Sequence, residues 1–395
     1  MIEAKSKVES MYGEAIRRDA RTALESLGIE HGLLAIEDQG ALPFVLLARI
    51  EAAVSRAHAA GALHGAKPAP IRNALPTGLA GARRASRRER FRRSRLYLPG
   101  NEPKFMLSAG LYHADAVILD LEDSVAPAEK DSARLLVRNA LRVLDFGEAE
   151  RMVRINPGTH GLHDLDAVVP QNVHLILIPK CESADEVRAV AERVREIQRG
   201  LLAGDDSCVL PEGALQPGEV FLMPIVETAL GVERAYEIAS AAPEVVGLTI
   251  GLEDYTADLG TQRTNEGRES FYARSKVVNA ARAAGVAPID SVFSDVADMD
   301  ALLASVLEAK SLGFEGKGCI HPRQIDVIHR GFAPSPEELE RAKRIVEAYQ
   351  AAEVRGDGVV SLGSKMIDPP VVKRALRTVR LADGMAHADG EVARG

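Results

Sequence analysis

Residues 116–123 read AVILDLED: an apolar run stops at three acids, Asp120, Glu122 and Asp123, with Leu121 between the first two. A short run that is apolar at every position suits a strand of a parallel sheet, covered by helices and never facing water. Runs of the same kind recur as RLYLPG (95–100), MVRINP (152–157), LILIPK (175–180), VFLMPIVE (220–227), VGLTIGLED (246–254), PIDSVF (288–293) and GKGCIHP (316–322). Stretches with helical periodicity separate them, among them AEKDSARLLVRNALRVL, ADEVRAVAERVREIQ, ESFYARSKVVNAARAAG and MDALLASVLEAKSLG. Eight strands alternating with helices over about 240 residues predict an α/β fold, a (β/α)8 or TIM barrel, in preference to an open doubly wound sheet.

The flanks read differently. Residues 1–65 suggest a small α+β domain: a helix through VESMYGEAIRRDARTALESLG, a strand at LLAIED, a QGALP turn and a helix through VLLARIEAAVSRAHAA. Residues 66–92 carry Pro, Gly and Ala and then arginines, and read as a linker. The cluster Arg83, Arg84, Arg87, Arg88, Arg90, Arg92 and Arg93 is relieved only by Glu89. Such a stretch is a solvated linker or a docking strap against an acidic body before it is an RNA- or membrane-binding element. The barrel is expected over 93–332. In SPEE at 335–338, Ser335 is placed to cap a helix that starts at Pro336, with Glu338 completing a capping box, and runs to about Val354. This opens a C-terminal helical lid segment, 333–382, before a tail at 383–395.

The chain is long enough to bury a full core. At 395 residues, 46% hydrophobic and 27% charged, it has the composition of a globular protein. Its net charge of −8 offers no footprint for nucleic acid or an anionic membrane. MIEAKSKVESMYGE lacks the apolar centre of a secretory signal, and no run approaches the roughly 18 apolar residues of a membrane span, so the expectation is a cytoplasmic protein. Cys181, Cys208 and Cys319 are far apart, without metal-site spacing, and read as reduced, mostly buried thiols.

In a barrel of this kind, the loops at the carboxyl ends of the strands build the site. Each strand here ends in a useful residue: Asn101, then Asp120, Glu122 and Asp123, then Arg154 and Asn156, Lys180, Glu227, Glu253 and Asp254, Asp290 and His321. Any one of them could merely cap a helix or a turn. Together they point to an enzyme. Several carboxylates in one mouth raise one another's pKa unless a cation neutralises them. With oxygen donors and no Cys/His cluster, that cation is Mg²⁺ before zinc, held by one or two carboxylates and several waters. A Schiff base on Lys180 is the rival reading. A nucleophile elbow, a GxxxxGK[ST] loop and an HExxH helix are absent.

RSRLYLPGNEPKF, DAVILDLEDSV, VRINP, PIVETALG, GLEDYTADLG, RSKVVNAARAAGVAPIDSVF, GFEGKGCIHPRQI and KMIDPPVVKRA, in this order over about 93–380, resemble the citrate lyase beta subunit family, with its malyl-CoA and citramalyl-CoA lyases. The resemblance implies a TIM barrel, homo-oligomers built of trimers or hexamers, and Mg²⁺-dependent cleavage of a carbon–carbon bond beside a thioester. It implies metal ligands at Glu227 and Asp254, and an enolate-stabilising arginine at Arg154. Asp368 matches an acid that the C-terminal segment of a neighbouring subunit supplies. Asp120, Glu122 and Asp123 match the DLED signature around metal waters and Arg154. Pro99 and Gly100, with Ile320, His321 and Pro322, match parts of the CoA-side pocket. Lys180 matches a position where no Schiff base forms.

The segment VESMYGEAIRRDARTALESLGIEHGLLAIEDQGALPFVLLARIEAAVSRA resembles the citrate lyase gamma subunit, an acyl carrier. That family modifies a serine upstream of the matching region, and Ser6 and Ser10 lie in the wrong place. The expectation is a docking or assembly element. The substrate implied is a 3-hydroxy-3-carboxyacyl thioester of citryl, citramalyl or malyl type, on CoA or on a carrier. A metal-dependent aldolase acting on a free 2-keto acid and a non-catalytic assembly protein are the alternatives.

Overall fold

The structure is a computed structural model that describes residues 1–63, 85–203, 219–355, 360–362 and 365–392. Cys208 and the first arginines of the cluster, Arg83 and Arg84, lie outside the described residues. Two compact units divide the chain, Met1–Ile325 and Asp326–Gly395.

The first unit opens with a strand that the sequence did not announce, β1 (Ile2–Ser6). It pairs in parallel with β2 (Leu34–Asp38), from Ile2 opposite Leu34 to Ser6 opposite Asp38. Parallel partners need a crossover, and α1 (Glu9–Ser26) supplies it. Helix α2 (Pro43–Ala59) follows and packs on the helix Lys130–Val143 of the barrel. There Glu51, 4% exposed, accepts from both terminal nitrogens of Arg138 at 2.7 and 2.8 Å, and Asn139 donates to the Phe44 carbonyl at 3.0 Å. These buried polar contacts fix the small N-terminal element to the barrel wall.

Eight parallel strands close the barrel: β3 (Ser94–Pro99), β4 (Ala116–Asp120), β5 (Glu150–Arg154), β6 (Leu175–Ile178), β7 (Phe221–Val226), β8 (Gly247–Ile250), β9 (Ala287–Asp290) and β10 (Gly316–Cys319). β10 pairs with both β9 and β3, which completes the ring. All eight apolar runs in the sequence become these strands. Ala116, Ile118, Met152, Leu175, Leu177, Phe221, Met223, Ile225, Val246 and Ile289 fill the interior, with Tyr97 and Ala287 packed against them. Arg95 lies among them, donating to the Thr249 hydroxyl at 2.8 Å and the Met223 sulfur at 3.1 Å.

The arginines ahead of β3 seat against the amino ends of the strands. Arg92 pairs with buried Glu150 at 2.7 and 2.8 Å, and Arg93 pairs with Asp115 at 2.8 and 2.9 Å. Arg88 donates to the carbonyls of Pro243 and Val245 at 2.6 and 2.8 Å. This short stretch therefore straps the end of the barrel opposite the candidate site.

In the second unit the helices Pro336–Arg355 and Pro369–Val392 share a core of Ala342, Ile345, Ala352, Ile367, Val372 and Ala375. Its capping box forms as the sequence predicts: the Glu338 amide donates to Ser335 Oγ at 3.1 Å and the Ser335 amide to Glu338 Oε2 at 2.9 Å. Among the described residues no helix is long and apolar enough to cross a membrane.

Candidate functional site

Strand parity builds the mouth. Ile118, Met152 and Ile225 face the barrel interior, and successive side chains of a strand alternate between faces. The residues two positions on, Asp120, Arg154 and Glu227, therefore turn inward at the carboxyl ends of β4, β5 and β7. Asp120 and Arg154 are opposite each other in register. Arg154 donates to both Asp120 oxygens, from Nε at 2.6 Å and Nη2 at 2.7 Å, while its guanidinium lies 5.3 Å from the Tyr97 ring centre. Burial alone would raise the Asp120 carboxyl, but these bonds and the charge of Arg154 hold it below the ordinary range. Burial likewise opposes the charge on Arg154, yet Asp120 raises its pKa above the usual arginine value.

The loop after β4 brings the other acids of DLED to the same cation. Arg154 Nη1 lies 2.8 Å from Glu122 Oε2 and 3.6 Å from Asp123 Oδ2. Lys180, just beyond β6, reaches across to Glu122 Oε1 at 2.6 Å and Asp123 Oδ1 at 3.1 Å. Burial raises Glu122 above its ordinary pKa in spite of Arg154 and Lys180. In half-exposed Asp123 burial again opposes the charge, but interactions with Glu122, Lys180 and Arg154 together lower its pKa. Lys130 supports the loop from behind, donating to the carbonyls of Leu121 and Glu122 at 2.9 and 2.5 Å.

Glu227 stands alone on the other side of the mouth. It is 3% exposed, and its Oε1 accepts the Lys180 backbone N–H at 2.7 Å. Its carboxyl is pushed up to about 8, first by burial and then, against the Lys180 bond, by the neighbouring charges of Asp254 and Glu122. Asp254 is half-buried in the first turn of the helix Leu252–Asp258 that follows β8. Gly251 precedes that helix, and a Cβ there would collide with Glu227 Oε2. The absent side chain leaves room beside the outer oxygen of Glu227, on the side of Asp254.

These features fit a divalent cation. The carboxylates of Asp120, Glu122, Asp123, Glu227 and Asp254 outnumber the cations of Arg154, Lys180 and Lys130. Two of them, Glu227 and Asp254, repel each other, and among the described residues no lysine or arginine side chain is bonded to Glu227. Among the described residues no three His, Cys, Asp or Glu side chains gather as a metal cage. Mg²⁺ does not need one, since it keeps most of its waters and takes one or two carboxylates.

The remaining strand-end residues divide. Pro99 and Gly100 abut β4, with the Gly100 N–H donating to the Asp120 carbonyl at 2.8 Å. A Cβ on Gly100 would lie 2.5 Å from that oxygen, so the close approach requires glycine. Ile320, His321 and Pro322 follow β10, which adjoins β3, so they stand beside that turn on the mouth side. Ile320 is 43% exposed there, and His321 Nδ1 accepts the Arg323 amide at 3.2 Å. Asp290 does not point into the mouth as its strand-end position suggested. Its neighbour Ile289 faces the interior, and Asp290 faces the helices, where it pairs with Lys317 at 2.7 Å and Arg274 at 3.1 Å. Asn156 is turned to Asp164, and exposed Glu253 pairs with Arg263. Asp368 belongs to the second unit, where it is exposed and caps the helix Pro369–Val392 through the Val371 amide. Lys130, Tyr97 and Gly251 were not among the candidates from sequence.

Residues 93–322 match the family profile described as HpcH/HpaI aldolase/citrate lyase. Residues 1–57 match an acyl-carrier profile described as malonate decarboxylase delta subunit. The citrate lyase subunit beta of Haemophilus influenzae is 40% identical over 288 residues, 72% of this chain and 95% of that protein. The mitochondrial citramalyl-CoA lyase of Homo sapiens is 34% identical over 303 residues, 74% of this chain and 86% of that protein. Among solved structures, CitE from Mycobacterium tuberculosis in complex with magnesium, acetoacetate and coenzyme A is similar with a TM-score of 0.57 at 31% identity, covering 75% of this chain and 99% of that one. A profile that spans more than half of the chain, and relatives matched over nearly their whole length, establish that the chain belongs to the HpcH/HpaI aldolase/citrate lyase family and is a carbon–carbon lyase.

Proposed function

We propose that the chain cleaves a 3-hydroxy-3-carboxyacyl thioester, of citryl, citramalyl or malyl type, into an acetyl thioester and a keto acid, with Mg²⁺ held by Glu227 and Asp254. The observation that carries this reading is the division of the mouth into two halves. One half is a carboxylate pair short of positive charge, and the other is an arginine locked in place by Asp120. A hydroxy-carboxylate suits the first half and a thioester carbonyl the second. Relatives named for citrate lyase and citramalyl-CoA lyase, and a similar structure holding magnesium, acetoacetate and coenzyme A, support the assignment.

Bound at Glu227 and Asp254, Mg²⁺ supplies Lewis acidity that lowers the pKa of the substrate hydroxyl and orients the carboxylate beside it. The protein does the rest. Glu122, whose carboxyl burial makes a better base, accepts the hydroxyl proton. The bond between the carbinol carbon and the carbon next to the thioester breaks, the keto group forms, and the electron pair moves into the thioester carbonyl. Arg154 stabilises the resulting enolate as a permanent cation already oriented by Asp120. Asp368, from the 333–382 segment of a neighbouring subunit in a trimer or hexamer, passes a proton taken up from solvent to the enolate carbon, and Glu122 releases to solvent the proton it accepted. The Pro99–Gly100 turn and Ile320–Pro322 receive the CoA side. The N-terminal domain, carrier-like in sequence, serves here as a fixed element, because Glu51 and Arg138 bind it to the barrel wall.

The test is mass spectrometry of the purified chain incubated with citryl-CoA, citramalyl-CoA and malyl-CoA, with Mg²⁺ and with EDTA. EDTA-sensitive release of acetyl-CoA, with oxaloacetate, pyruvate or glyoxylate as co-product, is the expected result. No turnover of any of the three, in a protein that binds Mg²⁺, would favour an aldolase acting on a free 2-keto acid or a carrier-bound thioester.

A further inference from the structure

Lys180 is the residue on which both halves of the mouth depend. It follows β6 with φ 51°, a left-handed conformation that lysine rarely adopts. The next amide, Cys181 N–H, rejoins the ladder by donating to the Ile225 carbonyl at 3.0 Å. Within this turn the Lys180 amide faces Glu227 at 2.7 Å, while its side chain turns back to Glu122 and Asp123. One residue thus orders a carboxylate on each side of the mouth, through two different groups.

The side-chain contacts bear on Arg154. Asp120 takes the N–H of Nε and one N–H of Nη2, so the second N–H of Nη2 and the two of Nη1 are the donors left for a substrate. Glu122 Oε2 is ion-paired with Nη1 at 2.8 Å, without an aligned hydrogen bond. The Lys180 ammonium holds the other oxygen of Glu122 and the near oxygen of Asp123. Glu122 thus divides its two oxygens between Lys180 and Arg154, and without the ammonium its whole charge and that of Asp123 would fall on Nη1.

We propose that Lys180 is a positioning residue with two separable functions: its left-handed amide sets Glu227 for a divalent cation, and its ammonium shares Glu122 and Asp123 with Arg154, so that the two carboxylates do not close on the guanidinium alone. This rests on the metal-dependent lyase reading above. Three variants separate the functions. Lys180→Gly keeps the amide and tolerates the left-handed turn but removes the ammonium. Lys180→Val removes the ammonium and strains the turn, and Lys180→Arg restores a cation.

The readouts are Mn²⁺ affinity by EPR titration, without substrate, and turnover of the thioester that the wild type cleaves. Partners that orient a ligand are worth about tenfold to a hundredfold in metal affinity or activity. Lys180→Gly is expected to bind Mn²⁺ within about threefold of wild type and to lose kcat by about tenfold to a hundredfold. Lys180→Val is expected to lose a further tenfold or so in Mn²⁺ affinity, and Lys180→Arg to recover part of kcat. Equal Mn²⁺ affinity in the Gly and Val variants would overturn the role of the amide. Lys180→Gly turning over like wild type would overturn that of the ammonium. Either result, with wild-type Mn²⁺ binding and turnover intact, leaves the parent reading standing. A wild-type chain that binds no Mn²⁺ overturns both.

Discussion

Glu227→Gln should stabilise the metal-free protein and abolish its response to metal. The carboxyl of Glu227 has an ordinary value of 4.5 and is pushed up to about 8 by burial and by Asp254. Below about pH 4.5 the side chain is neutral in the folded and unfolded states and costs nothing. Between about 4.5 and about 8 the unfolded chain releases a proton that the fold retains, so stability falls as pH rises, and it levels off above. At pH 7 the accumulated cost is about 3 kcal/mol. Glutamine keeps an oxygen for the Lys180 amide and carries no such linkage. In EDTA the variant should therefore melt a few degrees above wild type at pH 7, and the gap should close near pH 5. Added Mg²⁺ should raise the wild-type melting temperature and leave the variant unmoved. Differential scanning calorimetry across that pH range, with and without Mg²⁺, makes the comparison. A variant less stable than wild type in EDTA at pH 7, or one that Mg²⁺ stabilises equally, would refute the ligand assignment.

Other parts of the structure give further tests. Gly251→Ala places a methyl group against Glu227 Oε2 and 2.9 Å from its Cβ. Mn²⁺ affinity should fall by about tenfold or more with the circular dichroism spectrum retained, and unchanged affinity would show that the cation lies elsewhere. Arg138→Ala deprives buried Glu51 of its guanidinium bonds and should destabilise the first unit by about 3 kcal/mol in a denaturant titration. The Glu51→Ala/Arg138→Ala double variant should lose less than the two single losses added together, and additivity would mean that the pair does not couple. Asp368→Ala and Arg154→Ala chains, each inactive alone, should regain activity in mixed oligomers. Failure of that complementation would mean that each site is built within one chain.

The barrel was legible because eight short runs, most of them apolar, alternate with helical segments, a pattern with few other solutions. The acids and the arginine that meet at the barrel mouth were legible for a related reason: a polar residue that breaks such a run at its carboxyl end is conspicuous, as in AVILDLED. The same signal misled at Asp290, where the alternation of faces from its inward neighbour Ile289 turns the side chain toward the helices. β1 escaped notice because IEAKS offers only Ile2 and Ala4 as apolar residues, too short an alternation to stand out. The arginines at 88–93 read as a linker or a docking strap without identifiable partners, since neither Glu150 nor Asp115 is near them in sequence. Lys180 invited a covalent reading as an isolated lysine at a strand end. Its actual contacts depend on a left-handed backbone and on partners 47, 57 and 58 residues away, which no local pattern encodes.

The most direct test of the central claim is crystallographic: grow crystals of the chain with Mn²⁺ in place of Mg²⁺ and locate the ion by its anomalous signal. The expected result is one peak at the barrel mouth within ligand distance, about 2.1 Å, of carboxylate oxygens of Glu227 and Asp254, with Arg154 still on Asp120. A peak bound instead by Glu122 and Asp123 with Lys180 displaced, or no peak at the mouth at Mn²⁺ concentrations that support turnover, would contradict the assignment.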